Sequence, residues 1–175
     1  MRSLILGGAR SGKSALAERL ATASGWEVIY IATAQANDEE MAARIAHHRA
    51  SRPAHWQSVE EPLALAAALQ RHTRPDRCLL IDCLTLWLSN VLGQHDEGRF
   101  ARERDALLEV LPALKGEVLM VSNEVGLGIV PMGALTRRFV DEAGRLHQAL
   151  AERCERVLFV AAGLPLVLKG TLHEQ

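Results

Sequence analysis

Cysteine is scarce: 3 in 175 residues, an odd number, and Cys78, Cys83 and Cys154 fall at no zinc-ligand spacing. A closed disulfide framework and a structural zinc site are therefore excluded. Because Cys78 and Cys83 bracket an apolar run, the thiols read as reduced and structural, behaving as small hydrophobes. Clustered charge is missing too. Lysine plus arginine number 20 against 21 aspartates and glutamates, and no run of five like charges occurs. That removes the electrostatic footprint of a nucleic-acid or membrane-surface binder and leaves a small molecule as the expected partner. No apolar stretch is long enough to span a bilayer: the longest, Val157 to Leu168, is broken by Gly163 and Pro165. With no cleavable signal before the first strand, the expectation is a cytoplasmic protein. Internal repeats and low-complexity tracts are absent as well.

What is present is apolar substance, 49% of the residues. At this length that suffices for a full core without metal or disulfide help, so one domain over residues 1–175 is expected. Short apolar runs at Ser3–Leu6, Val28–Ala32, Leu79–Ile81, Val118–Ser122 and Val157–Ala161 read as strands. They are continuous rather than alternating, as strands buried on both faces of a parallel sheet must be. Between them, helical periodicity appears at Lys13–Ala23, Glu39–Arg49, Leu63–Gln70, Phe100–Leu114 and Leu135–Arg153. Alternating strand and helix predicts an α/β three-layer sandwich with a mostly parallel central sheet, of P-loop NTPase type. Residues 50–62, 95–99 and 123–133 are the least regular.

The type assignment rests on Gly7-Gly8-Ala9-Arg10-Ser11-Gly12-Lys13-Ser14, which fits G-x-x-x-x-G-K-[ST] after a strand and at the mouth of a helix. Glycines let the backbone curl until successive N–H groups face phosphate oxygens. Lys13 supplies a point charge for the β- and γ-phosphates, Ser14 offers a hydroxyl to Mg²⁺, and the helix adds its positive end. A chance match occurs in roughly one chain in a hundred of this length, and the strand and helix context lowers that further. Asp82, following Leu79-Leu80-Ile81, stands where a second carboxylate would complete the Mg²⁺ shell; its bland alternative is a strand-end turn or helix cap.

Asp38 reads as the N-cap of the helix through Arg49, which puts His47 and His48 in its last turns. His48 follows the Met41 and Ile45 stripe, whereas His47 lies over Ala43 and Arg44, so His47 is the one able to face a ligand. A neutral imidazole can attack phosphorus to form a phosphoramidate, although a helix-end histidine more often caps carbonyls. The 123–131 segment stays open between a tight strand-to-helix connection, shaped by Gly126, Gly128 and Pro131, and a substrate loop.

Together with the phosphate loop, the strand end Tyr30-Ile31-Ala32-Thr33-Ala34-Gln35 and the block Asp38 to Ile45 leading into His47-His48 give the chain a family likeness. It resembles the bifunctional adenosylcobinamide kinase and adenosylcobinamide-phosphate guanylyltransferase family. The likeness continues through Arg52-Pro53, Trp56, Glu60, Asp82-Cys83-Leu84-Thr85, Asn123-Glu124-Val125-Gly126, Gly128 to Pro131, Arg138-Phe139, Asp141, Gly144-Arg145 and Gly163-Leu164-Pro165. It implies phosphorylation of the aminopropanol hydroxyl of adenosylcobinamide by ATP or GTP. GMP then passes from GTP to that phosphate through a guanylylated histidine at the His47 position, a sequence that belongs to cobalamin biosynthesis. The implied nucleotide contacts fall on Gly7, Gly8, Ala9, Arg10, Ser11, Gly12, Lys13 and Ser14, on Thr33, Ala34 and Gln35, on Ala50, Ser51, Arg52 and Pro53, and on Glu60 and Asp82. Lys13 and His47 are the implied catalytic residues, with Mg²⁺ on Ser14 and Asp82, a corrinoid as second substrate and a homotrimer as the assembly. His147 departs from the pattern, since relatives often carry asparagine there.

Overall fold

The strands that read as unbroken apolar runs do so because both faces of the sheet are covered. The computed structural model describes residues 1–35, 53–96 and 98–172. Its strands are β1 (Arg2–Gly7), β2 (Glu27–Ala32), β3 (Gln57–Glu60), β4 (Arg77–Asp82), β5 (Glu117–Asn123), β6 (Arg156–Ala161) and β7 (Leu164–Lys169). Its helices are α1 (Lys13–Ala23), α2 (Leu65–His72), α3 (Leu84–Leu92), α4 (Arg99–Val110) and α5 (Ala134–Arg153), with a 3₁₀ turn at Leu111–Ala113. Strand order is β3-β2-β4-β5-β1-β6-β7, parallel except for the antiparallel β6–β7 pair.

Alternate residues of each strand enter different cores. Leu4, Leu6, Ile29, Ile31, Leu79 and Ile81 pack with Leu65, Trp87, Leu107 and Leu146 from α2 to α5. Ile5, Val28, Tyr30, Leu80, Leu119 and Val121 pack with Leu16, Ala17 and Ala21 of α1, joined by Trp56. Helices thus cover both faces, which is the expected three-layer arrangement. Near the amino ends of the strands, Arg156 is buried against Glu117 at 3.2 Å and donates from Nε to Ser3 Oγ at 2.9 Å.

Four local differences from the sequence reading have identifiable causes. The stretch read as irregular contains β3, an edge strand whose Val59 packs on the core while its neighbours stay exposed, too short and one-sided to leave a pattern. Helix α3 is a nonapeptide with Leu84, Trp87, Leu88 and Val91 buried and only Thr85, Ser89 and Asn90 polar, too short for its period to stand out. The helix expected to reach Leu114 ends at Val110 and tightens through a 3₁₀ turn, because Pro112 lacks the N–H an α-helix needs. Finally, the apolar stretch from Val157 folds back as a hairpin: Ala162 and Gly163, with φ of 51° and 79°, make the two-residue turn, and Pro165 sits on the edge strand. The expected helix Glu39–Arg49, with its Asp38 cap, lies outside the described residues.

Candidate nucleotide site

The carboxyl ends of the parallel strands share one edge. Gly7 of β1 is in register with Asn123 of β5 and Val160 of β6, and Ala32 of β2 with both Asp82 and Glu60. The loop that leaves this edge after β1 has no room for a side chain at Gly7 and little at Gly12. A Cβ on Gly7 would lie 2.5 Å from both Val160 O and Ser11 Oγ. Gly12 has φ of 97°, and a Cβ there would meet Gly163 Cα at 3.1 Å. Arg10 also holds a left-handed conformation, φ 56°. The turn is braced on one side by Gly163 N–H donating to Ser11 O at 2.8 Å and on the other by Glu124 N–H donating to Gly7 O at 3.0 Å.

Inside this curl, Lys13 is buried and donates from Nζ to Gly8 O at 2.9 Å. Burial pulls its amine below the ordinary lysine range, opposed by the nearby charges of Asp82 and Cys83. A buried cation with only a neutral carbonyl bonded to it is a site short of negative charge. Ser11 Oγ is buried with no protein partner, leaving a hydroxyl that an incoming oxyanion would satisfy. The loop is therefore shaped for an anion.

Of the other expected contacts, Asp82 stands half-buried at the end of β4, near enough to Lys13 to act on its charge. Ser14 is half-buried in the first turn of α1. Thr33 is fully buried, and its groups are already engaged: Oγ1 donates to Cys83 O at 2.7 Å and accepts from Cys83 N–H at 3.0 Å, while its carbonyl accepts from Asn90 Nδ2 at 2.8 Å. Its hydroxyl thus welds the ends of β2 and β4 together, and Ala34 and exposed Gln35 follow from that fixed point. Sequence reading missed Asn90, which also donates to Pro62 O at 3.1 Å, because it lies on the unforeseen α3. Glu60 ends β3 as an exposed residue and Pro53 is half-buried. His47, Ala50, Ser51 and Arg52 lie outside the described residues.

A second polar cluster backs the same edge. Ser122 Oγ lies 2.8 Å from His147 Nε2 and 3.2 Å from Thr85 Oγ1, which accepts from Asn123 N–H at 2.6 Å. His147 Nδ1 is 3.7 Å from Glu124 Oε2. At that separation the pair is not hydrogen-bonded, and Nδ1 is buried without a partner. Beyond Glu124 the chain forms a shallow pocket lined by Val125, Gly126, Ile129, Pro131, Arg137 and Asp141, of which Ile129 is 97% exposed.

Comparison with known proteins decides the family. The cobinamide kinase / cobinamide phosphate guanyltransferase model matches residues 3–168. The chain belongs to this family. Within it, the bifunctional adenosylcobalamin biosynthesis protein CobP of Pseudomonas aeruginosa is 66% identical over 170 residues, covering 97% of this chain and 98% of the relative. The corresponding protein CobU of Escherichia coli is 40% identical over 182 residues, covering 97% of this chain and all of the relative. Among solved structures, the RadB recombinase superposes with a TM-score of 0.53 at 16% identity, covering 90% of this chain and 73% of that one. A Pyrococcus horikoshii OT3 protein gives 0.53 at 8% identity, covering 97% and 86%. These distant likenesses show the fold alone; the cobinamide kinase / guanyltransferase assignment rests on the family match and the close relatives.

Proposed function

We propose that this enzyme phosphorylates the side-chain hydroxyl of adenosylcobinamide with ATP or GTP and then transfers GMP from GTP to the new phosphate, giving adenosylcobinamide-GDP. The observation that carries the reading is the charge-deficient curl around buried Lys13, which opens at the strand edge beside Asp82. In the kinase step the loop amides from Gly7 to Ser14 hold the triphosphate in line and Lys13 balances charge growing on the β–γ bridge and the γ-phosphoryl, so positioning and electrostatics supply most of the rate. Mg²⁺ suits the site: Ser14 and Asp82 are hard oxygen donors, and no cluster of three or more protein ligands that could hold a metal alone occurs among the described residues. A cation held partly by the nucleotide's own phosphates needs only such a sparse set, and it supplies charge neutralisation when bound.

For the second step, His47 is the nucleophile: its neutral imidazole attacks the α-phosphate of GTP, pyrophosphate leaves, and the corrinoid phosphate then takes the GMP. Ala34, Gln35, Ala50, Ser51, Arg52, Pro53 and Glu60 complete the nucleotide contacts, with Thr33 acting through the backbone position it fixes. One domain carries both steps. Exposed Leu164, Leu166 and Leu168 on the edge strand β7 support a homo-oligomer, a trimer in this reading. Buried free thiols, with Cys78 and Cys154 pushed up to about 12 by desolvation, suit a reducing cytoplasm. No helix among the described residues is long and apolar enough to cross a membrane.

The test is incubation with adenosylcobinamide, ATP, GTP and Mg²⁺, with products resolved by mass. Lys13→Ala should abolish phosphorylation. His47→Ala should leave phosphorylation intact while removing acid-labile, alkali-stable protein label from α-labelled GTP. A His47→Ala enzyme that still forms adenosylcobinamide-GDP would sink the covalent step.

A further inference from the structure

The phosphorylation proposed above needs an acceptor for the proton of the attacking hydroxyl, and the phosphate loop offers none, since Lys13 and the amides only donate. Asp82 is occupied with the metal in that reading. We propose that Glu124 is this base, a catalytic residue of the kinase step, and that His147 is the positioning residue behind it. The inference rests on that functional reading and adds a residue to it.

Placement comes first. Strand β5 lies between β1 and β4, the strands that end in the phosphate loop and in Asp82. Asn123 is paired with Gly7, and the next residue, Glu124, donates its N–H to Gly7 O at 3.0 Å. The backbone of Glu124 is therefore anchored to the first residue of the cradle. Its carboxylate is partly accessible, 22% exposed, so a substrate hydroxyl can reach it without full hydration of the charge. Oε1 accepts from Gly126 N–H at 2.6 Å, which fixes the side chain, and Oε2, with two lone pairs, can face His147 and still take a proton. Among the described residues its one charge-capable partner within 4 Å is His147.

The role of His147 rests on its place at the end of a buried hydrogen-bonded chain, with Glu124 on its other side. Asn123 N–H donates to Thr85 Oγ1, and in the proposed hydrogen-bond direction the Thr85 hydroxyl donates to Ser122 Oγ and the Ser122 hydroxyl donates to His147 Nε2. In that proposed direction Nε2 accepts, which puts the imidazole proton on Nδ1, buried and unpartnered with Glu124 Oε2 as its facing acceptor. A small side-chain adjustment closes that 3.7 Å gap into a bond that orients the carboxylate. In the reaction, the acceptor oxygen forms a bond to the γ-phosphorus as the bond from that phosphorus to the β–γ bridging oxygen breaks. The nucleoside diphosphate leaves with the electron pair, the hydroxyl proton passes to Glu124, and Glu124 later releases it to solvent.

The decisive experiment compares wild type, Glu124→Gln, Glu124→Asp, His147→Leu and His147→Asn in the two half-reactions separately. Phosphorylation is followed with adenosylcobinamide and ATP, and guanylyl transfer with adenosylcobinamide phosphate and GTP. Glu124→Gln keeps an acceptor for Gly126 N–H and should fold normally. It should lower kcat for phosphorylation by about 10²-fold or more with the nucleotide Kd within about twofold and guanylyl transfer unchanged. Glu124→Asp should retain more activity than Glu124→Gln. His147→Asn, which can still accept from Ser122, should stay near wild type, and His147→Leu should lose kcat without losing nucleotide affinity. A wild type that binds nucleotide but phosphorylates no corrinoid overturns the functional reading and this assignment with it. A working wild type with Glu124→Gln unimpaired, or with both half-reactions equally reduced, overturns the base assignment alone.

Discussion

Gly7→Ala isolates the steric demand of the cradle. The new Cβ would lie 2.5 Å from the backbone oxygen of Val160, roughly 1 Å inside ordinary contact, and equally close to Ser11 Oγ. Ser11 can rotate, but Val160 belongs to β6, which is hydrogen-bonded along its length to β1, so the sheet itself must spread. Overpacking of this kind costs about 1–3 kcal/mol, and the upper end applies where backbone is the obstacle. Gly7 does not have a positive φ, so no conformational term confuses the comparison.

For a chain of this size about 3 kcal/mol lowers Tm by about 6–12 °C. Gly8→Ala is the internal control: nothing lies within 4 Å of its Cβ position, and its stability should match wild type within about 0.5 kcal/mol. Thermal unfolding followed by circular dichroism, with GTP·Mg²⁺ titration calorimetry, reads both quantities. Gly7→Ala should lose nucleotide affinity along with stability, because the displaced Ser11 belongs to the phosphate loop. A Gly7→Ala protein melting within about 1 °C of wild type would refute the reasoning.

Gly163→Ala meets no neighbour but must hold φ of 79°, so it should cost about 1–2 kcal/mol, and Gly163→Asn less, in denaturant unfolding; nucleotide affinity should fall with it, because Gly163 N–H holds Ser11 O. Glu117→Ala strands the buried Arg156 guanidinium and should destabilise by about 3–5 kcal/mol, whereas Glu117→Leu combined with Arg156→Leu should cost less than that single change, a comparison urea midpoints decide. Burial holds His147 below the ordinary value of 6.5, with Glu124 pulling the other way, so the unfolded chain takes the proton more readily. Its stabilisation is therefore complete above pH 6.5 and is lost as pH falls below it; Tm measured against pH should decline more steeply in wild type than in His147→Asn.

The phosphate loop was legible because its chemistry admits few residue types at each position, and the parallel strands because burial on both faces demands apolar runs. What the sequence hid were features whose signal is not local. Strand β3 shows only Val59 to the core, and α3 is nine residues long, so neither is long enough to carry a clear period. The hairpin at Ala162–Gly163 is invisible for another reason: Ala162 is no glycine or asparagine, and only pairing with β6 forces its φ of 51°. The family likeness put a nucleotide contact at Thr33, and the structure adds that its hydroxyl closes on Cys83, 50 residues away. Tertiary partners of that kind leave no trace in spacing.

One of these hidden parts, the β6–β7 turn, is a support of the visible one. The cradle is pinned at Gly7 O by the chain leaving β5 and at Ser11 O by the β6–β7 turn, and inside it Lys13 is clipped to Gly8 O. A loop fixed on both flanks before ligand arrives has little backbone entropy left to lose, which raises affinity without adding a contact. In the proposed reading, binding exchanges one internal bond, Lys13 to Gly8 O, for bonds to phosphate. The exchange is favourable because burial has already depressed the Lys13 amine: an anion at that spot returns to the buried cation the compensation it lost on leaving water. Neutral ligands of the same shape gain no such return, so selectivity for a polyanion follows from where the lysine is buried.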